Sequence, residues 1–426
     1  MSRFSRFVSL AWAGVLLLPS TAAAQDGQPQ DEPPTTGIYW RNRPSIQLGP
    51  HVRLDLRLKL AYDWRRLDRD IADDSRDWRY RRAGINGAIG EDITFDIERD
   101  LNRSGRWRDV YLNWGRFRQL EVTAGRFKVP FGYEELGSIA DVDFAFRTLA
   151  STTIPPARDE GVMAHGRFLR RGVTYQIGVF NGDGDNGRLQ EEQFSVRGDV
   201  KNVGPSFAAR ATATPLRAWA PTLGSFRVGL AYGVVNMPEG LNSLRGETVH
   251  GTGDYFEPVY TKGKRSRMGV ELLYAPGPIG LTAEWMRARE ERSNQGLGDA
   301  DLSDLLTTGW YGAATWLVTG ENKQNFNNPR RPMFDGGFGA IEVGARYEIL
   351  RFESDEKNGP AFRNPRAEHI LGNSDKVWTL GVNWFLNRWV RLTANAIREE
   401  FEDAPRAPRP GTTRYWSGLA RAQLVF

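Results

Sequence analysis

From Val52 to Arg65 the chain alternates apolar and charged residues. Val52, Leu54, Leu56, Leu58, Leu60, Tyr62 and Trp64 fall on one face of an extended strand. Arg53, Asp55, Arg57, Lys59, Asp63 and Arg65 fall on the other, because successive strand side chains point to opposite sides. In a soluble protein the apolar face would meet a core. In a membrane barrel it meets lipid, and the ionic face lines water. The stretch outruns the usual soluble strand of about 5–6 residues and suits a tilted membrane crossing of about 9–11.

The same alternation, interrupted by turns, predicts strands at 51–65, 78–90, 92–101, 106–116, 119–128, 159–169, 172–181, 205–214, 224–236, 264–275, 279–291, 306–320, 339–353, 375–387, 389–401 and 412–426. The expected fold is all-β: a transmembrane antiparallel up-and-down β-barrel of about 16 strands, an even number as single-chain bacterial barrels require. Tight turns at Gly90-Glu91, Arg170-Arg171, Ala275–Pro278 and Asn387-Arg388 alternate with long insertions at 129–158, 182–204, 237–263 and 354–374. Short turns on one rim and longer loops on the other are the barrel rhythm. Glu321–Phe338 breaks it, since strand parity places this long segment on the short-turn rim. Gln193–Val200 also alternates; it is assigned to a loop because that keeps the count consistent from both ends.

The N-terminus sets the compartment. Arg3 and Arg6 precede the apolar run Phe7–Leu18 and the small residues Thr21–Ala24, the plan of a secretory signal. The expected organisation is a signal peptide at 1–24, a Pro-rich periplasmic lead-in at 25–45 and a barrel at 46–426. With no Cys, disulfides and thiolate metal sites are excluded. Past residue 24 no run of about 18 apolar residues occurs, so no membrane helix is expected. The mean hydropathy of −0.51 fits a barrel, whose two faces cancel in any average. The formal charge of +5 falls to +3 without Arg3 and Arg6, too balanced to point to nucleic acid. The last strand alternates to Phe426 and resembles the closing strand by which assembly machinery recognises Gram-negative outer-membrane barrels.

Several segments together resemble one family. GRFKVPFG at Gly125–Gly132, followed by Glu134–Leu136 and Phe144–Arg147, resembles the approach to the constriction loop of the phosphate-selective porin O and P family. Ala157–Val162, Gly178–Gly182, Trp316–Glu321 and Leu380–Asn387 match further family blocks in order. The resemblance covers essentially all of the chain beyond the leader. It implies a sixteen-stranded homotrimeric porin of the outer membrane, surrounded by its lipids, passing small anions such as phosphate. It also gives the long segment 321–338 a purpose, since inward-folded segments belong to this family's pore architecture.

An anion pore needs a path of fixed cations strong enough to replace part of a hydration shell and weak enough to release the ion. Arginine suits it, because a planar guanidinium grips oxyanions in pairs. Arg53, Arg57 and Lys59 form a ladder with steps of about 6.6–13 Å; Asp55 and Asp63 would turn the same face into a salt-bridged wall. Lys128 and Arg147 bracket the expected constriction loop, and Arg158, beside Asp159 and Glu160, reads as its anchor. Arg245, Lys262, Lys264, Arg265 and Arg267 are candidates for a basic mouth, and Lys323, Arg330 and Arg331 for inward reach from the long turn. Opposing them, Asp92, Asp96, Glu98 and Asp100 share a face of the third strand, and Glu342 and Glu348 flank Arg346 on the thirteenth. His51, His165, His250 and His369 have neither metal spacing nor a nucleophile motif, so no cofactor, metal or enzymatic reaction is expected. Three readings stay open: a phosphate-preferring porin, a less selective channel for other small anions, and a plugged barrel with a structural role.

Overall fold

The computed structural model describes residues 36–69, 71–102, 105–169, 172–187, 203–216, 225–355 and 370–426. The expected signal segment, the stretch 193–200, the Arg170-Arg171 turn and His369 lie outside the described residues. Two short strands come first, β1 (Gly37–Trp40) and β2 (Pro44–Leu48), paired as a hairpin. Regular pairing therefore begins at residue 37, inside the segment read as lead-in.

Sixteen barrel strands follow: β3 (Val52–Arg66), β4 (Ser75–Ile89), β5 (Ile93–Asp100), β6 (Trp107–Phe117), β7 (Leu120–Lys128), β8 (Arg158–Phe168), β9 (Val173–Phe180), β10 (Ser206–Ala213), β11 (Arg227–Leu241), β12 (Tyr260–Tyr274), β13 (Ile279–Arg292), β14 (Leu302–Leu317), β15 (Ala340–Ser354), β16 (Asn373–Phe385), β17 (Val390–Phe401) and β18 (Arg414–Val425). Each pairs antiparallel with the next, and β18 pairs back onto β3, so the sheet closes. One edge of β3 is shared at this seam. β2 takes Val52–Asp55 and β18 takes Lys59–Arg66. Between them Leu58 and Phe426 exchange both backbone hydrogen bonds at 3.0 Å.

The alternation has the expected sense. Leu56 and Trp64 are 37% and 46% exposed on the outer surface, while Asp55, Lys59 and Asp63 are buried inside. Strand ends differ most on β11, β12 and β14, which extend further toward the loop rim than their patterns predict. The β11–β12 ladder continues through a register shift between Met237 and Gly240, and such an irregularity breaks period two in sequence. On β14, Leu302 and Leu305 are buried, so apolar residues occupy positions where a lumen strand is expected to be polar.

That inversion has a cause. The segment 129–157, which carries α1 (Tyr133–Leu136) and α2 (Leu149–Thr153), folds into the barrel, as does 242–259. Phe131, Phe146, Leu149 and Ile154 of the first, and Leu244, Tyr255, Phe256 and Val259 of the second, share one core with Met286, Leu305, Leu350, Phe352, Val377, Ile397 and Tyr415 of the wall. Burying each large apolar side chain contributes roughly 1.5–3 kcal/mol, so the inner face of β13–β18 carries apolar residues where these loops pack against it.

Buried backbone must also be satisfied, and wall side chains do this. Glu284 accepts from Tyr133 N and Glu134 N (2.6 and 3.0 Å), Glu348 from Leu149 N (2.6 Å) and Asn395 from Ala145 N (2.8 Å). Arg391 donates to Ala140 O and Val142 O (2.9 Å each), Arg346 to Phe146 O (3.0 Å) and Arg267 to Ile154 O (2.6 Å). Gly132 opens the loop at φ +73°, with Met286 Cε 3.1 Å from where a Cβ would stand, so a glycine serves both the turn and the close packing. At the neck, Val129 N donates to Ala157 O at 2.8 Å.

Candidate solute passage

The inserted segment 129–157 leaves a cavity of about 530 Å³ between its stretch Leu136–Ile139 and the wall formed by β3–β10. Parity aims the charged face of β3 into this space, and the neighbouring strands complete it. Arg57, Lys59, Arg82, Lys128, Arg147, Arg158 and Arg210 line it, against the carboxylates of Asp96 and Asp109. Tyr111, Asn113, Thr123 and His165 supply neutral polar groups, with His165 Nε2 3.0 Å from Thr123 Oγ1 and 2.9 Å from Asn113 Oδ1.

Most of these cations have partners. Arg57 pairs with Asp96 and, at 3.3 Å, with Glu98; Lys59 donates to Glu98 at 2.5 Å. Arg82 meets Asp100 at 3.3 Å. Arg158 grips Asp109 with two bonds of 2.9 Å, the bidentate geometry that suits guanidinium to carboxylate. Arg210 pairs with Glu271 and also donates to Gln176 at 3.0 Å. Arg147 meets Glu135 at 2.9 Å and donates to Glu134 O and Gly137 O. Lys128 differs: its ammonium donates to the carbonyls of Glu135 (2.5 Å), Leu136 (3.1 Å) and Gly137, and it has no ion pair among the described residues.

Of the residues singled out in the sequence, Arg57, Lys59, Lys128 and Arg147 converge here. Arg53 stands nearer the short-turn rim, paired with Asp55 at 3.1 Å, and Asp55 also accepts from Ser45 Oγ at 2.7 Å. Arg245 lies on the inserted segment 242–259, close enough to Glu247 to act on its charge. The expected basic mouth is split by strand alternation. Lys264 is exposed on the outer face of β12, and Lys262 pairs with Glu239 at 3.4 Å. Arg265 and Arg267 point inward and are fully buried against Asp183. They are a structural clasp rather than a mouth.

Lys323 does reach inward, bridging Asp143 (2.6 Å) of the constriction loop and Glu342 of β15. Burial alone would lower its pKa, but these two carboxylates raise it above the ordinary lysine value. Arg330 is exposed on the turn and lines neither large cavity. Sequence reasoning passed over Arg82 and Arg210, both on inward positions. Counting parity along β4 from Tyr80, and along β10 from Ala208, would have found them, since both reference residues are buried.

On the short-turn side of the constriction loop lies a second cavity of about 550 Å³, which Lys323, Arg227 and Arg391 share with several aromatic rings. The loop stands between the two spaces, with Ile139 lining the first and its neighbour Ala140 the second.

The sequence profile of the family described as phosphate-selective porin O and P matches residues 52–426. Porin O of Pseudomonas aeruginosa is 24% identical over 352 residues, which is 76% of this chain and 73% of that protein. Among solved structures, OmpT of Vibrio cholerae with its loop L8 deleted superposes with a TM-score of 0.57 at 14% identity, over 88% of this chain and all of that one. A trimer form of OmpT gives a TM-score of 0.53 at 13% identity, with 88% and 100% covered. The anion-selective porin from Comamonas acidovorans gives 0.53 at 13% with the same coverage. These likenesses support the sixteen-stranded barrel, and the profile match over almost the whole chain shows its kinship: the protein belongs to the phosphate-selective porin O and P family, β-barrel channels of the Gram-negative outer membrane.

Proposed function

We propose that the protein is a passive diffusion channel preferring small anions, phosphate among them, and that it works as a homotrimer. The observation that carries this reading is the cavity beside the constriction loop into which seven cationic side chains converge, six of them ion-paired. Lys128 is its focus. Its Nζ is held by three loop carbonyls and has no carboxylate partner among the described residues, so it fixes the loop against the wall at the point where the cations converge. The paired arginines around it offer further N–H donors at little net charge. An anion entering between them exchanges part of its hydration shell for these donors and leaves by the same exchange, as conduction requires. Trimerisation follows the trimer form of the related OmpT, and Phe426, paired at the seam, is the proposed signal for barrel assembly.

The pairing of Arg57, Lys59, Arg82 and Arg158 with carboxylates favours a second reading, a weakly selective channel for small anions at large. Planar-bilayer recording separates the two. Reversal potentials favouring chloride, with chloride current inhibited by phosphate at low concentration, support the first; anion preference without phosphate inhibition supports the second. An absence of conductance would mean a plugged barrel. Lys128→Glu should cost more anion preference than Arg57→Glu, whose charge is already matched. Unchanged reversal potentials in both would remove them from the path.

A further inference from the structure

The compartment on the short-turn side is chemically unlike the passage on the other side of the loop. Arg227, at the start of β11, lies over the ring of Tyr133 on the constriction loop, 5.1 Å from its centre. Arg391 of β17 lies over Phe385 of β16 at 5.6 Å. Both arginines and both rings line the same cavity of about 550 Å³. Neither guanidinium has an ion pair among the described residues, and the Nε atom of each is buried without a hydrogen-bond partner. Arg391 is only 5% exposed and its terminal nitrogens donate to Ala140 O, Val142 O and Gln423 Oε1, so Arg227 is the guanidinium left for a solute. Phe326 packs edge-on to Phe385 at 4.7 Å and extends the aromatic surface. Lys323, in the same cavity, is neutralised by Asp143 and Glu342.

We infer that this compartment is a binding station for monoanionic aromatic solutes of the aryl carboxylate class; the inference rests on the anion-channel reading above. Two arginine–ring stacks facing one cavity supply both halves of such a ligand's needs. The rings receive its flat face, and the guanidinium of Arg227, planar and weakly hydrated, receives its carboxylate, with the buried charge of Arg391 behind it. The volume suits a single ring with one polar group, since small-molecule sites commonly span about 300–1,000 Å³. The charge class follows from Asp141, which lines the cavity and has no side-chain partner among the described residues. A fixed carboxylate there repels a second negative charge on the solute. The basic passage between the loop and β3–β10 would admit anions in general, and this compartment would retain those that carry a ring.

The test is inhibition of chloride current through the purified channel in planar bilayers by benzoate, cyclohexanecarboxylate and acetate. These are monoanions with an aromatic ring, a saturated ring and no ring. Benzoate should half-inhibit at a concentration at least about 5-fold below the other two, the size of effect a cation–π contact gives. Phenyl phosphate, at a pH where it carries two charges, should inhibit less well than benzoate. Arg227→Lys keeps the charge and loses the planar stack, so it should bring the benzoate advantage down to about 2-fold or less. Where that variant gives no conducting channel, Tyr133→Leu provides the same reading. Equal inhibition by the three carboxylates in an anion-selective channel would overturn the station and leave the channel reading intact. So would stronger inhibition by phenyl phosphate, or a benzoate advantage that survives Arg227→Lys. Reversal potentials showing no anion preference would overturn both.

Discussion

Asp183 is 2% exposed and holds two guanidiniums at once: Arg265 donates to it at 2.5 Å, and Arg267 donates to both of its oxygens. Arg267 also reaches Ile154 O at 2.6 Å, so this carboxylate ties the segment 181–187 to the returning end of the constriction loop. Burial alone would raise the Asp183 pKa, but the charges and hydrogen bonds of Arg267 and Arg265 bring it below the ordinary value. A carboxylate whose folded pKa is depressed contributes stability that is fully present above its unfolded pKa of about 3.9 and is lost as pH falls through the folded value. The clasp should therefore hold at neutral pH and release only in strong acid. Asp183→Asn leaves the buried Arg267 without a carboxylate, while Arg265 keeps Glu290, and should destabilise the barrel by about 3–5 kcal/mol, the usual cost of breaking a buried pair from one side. Denaturant unfolding in detergent measures this, and a midpoint within error of the native channel would refute it. Such clasps are hard to read from sequence. The inward face of β3 follows from parity, but the partners of Arg57 do not. Arg57 lies across from Gly84, which in turn lies across from Glu98; a Cβ on Gly84 would stand 3.3 Å from that of Glu98. The missing side chain lets two residues on non-adjacent strands pair, so Asp55, which the sequence sets against the whole ladder, neutralises Arg53 instead.

At the scale of elements, insertion lengths identify the constriction loop, and strand parity places the long segment 321–338 on the short-turn rim. What the loops need from the wall is less visible. Leu350, Phe352, Val377 and Ile397 are inward by parity yet apolar, a local exception that makes sense only once 129–157 and 242–259 are seated on them. The second of these segments carries His250, 3.0 Å from Ser417 Oγ. Burial, and then the charges of Arg65 and Arg79 outweighing Asp63, push its pKa down to about 4. An undocked segment would restore it to about 6.5, so the undocked form binds the extra proton between these values. Docking is thus strongest above about pH 6.5 and weakens as pH falls toward about 4. Glu247, on the same segment, has its pKa raised by burial and by Asp254, so its titration acts in the opposite direction. We expect single-channel conductance to be larger near pH 5 than near pH 7.5 as the segment loosens, with His250→Gln removing most of the difference. A native channel whose conductance is flat over that range would refute the assignment.

For the whole molecule, the count and order of the barrel strands follow from alternation together with the parity of turns and loops, because lipid outside and charged wall inside impose period two on every crossing. Selectivity does not follow so directly, since it depends on which charges remain after pairing. The pairs lining the passage are separated by 2.5–3.3 Å, and at a distance each acts as a small dipole. The long-range field therefore comes mainly from the few charges without a partner of opposite sign, Arg227 and Arg391 among them. A field with so few unmatched sources is easily screened, as the Debye length shrinks from about 10 Å at 0.1 M salt to about 3 Å at 1 M. An intact ladder of bare arginines would instead replace the hydration shell of an ion at contact distance, where screening has little hold. The two cases give different salt dependences. With the pairing seen here, the preference for chloride over potassium should be modest, falling steeply as mean salt rises from about 0.1 to about 1 M. Reversal potentials at a fixed tenfold gradient measure it. Constant preference across that range would show that anions are selected by direct, desolvated contact, and that the carboxylate partners of Arg57 and Arg158 give way when an anion arrives.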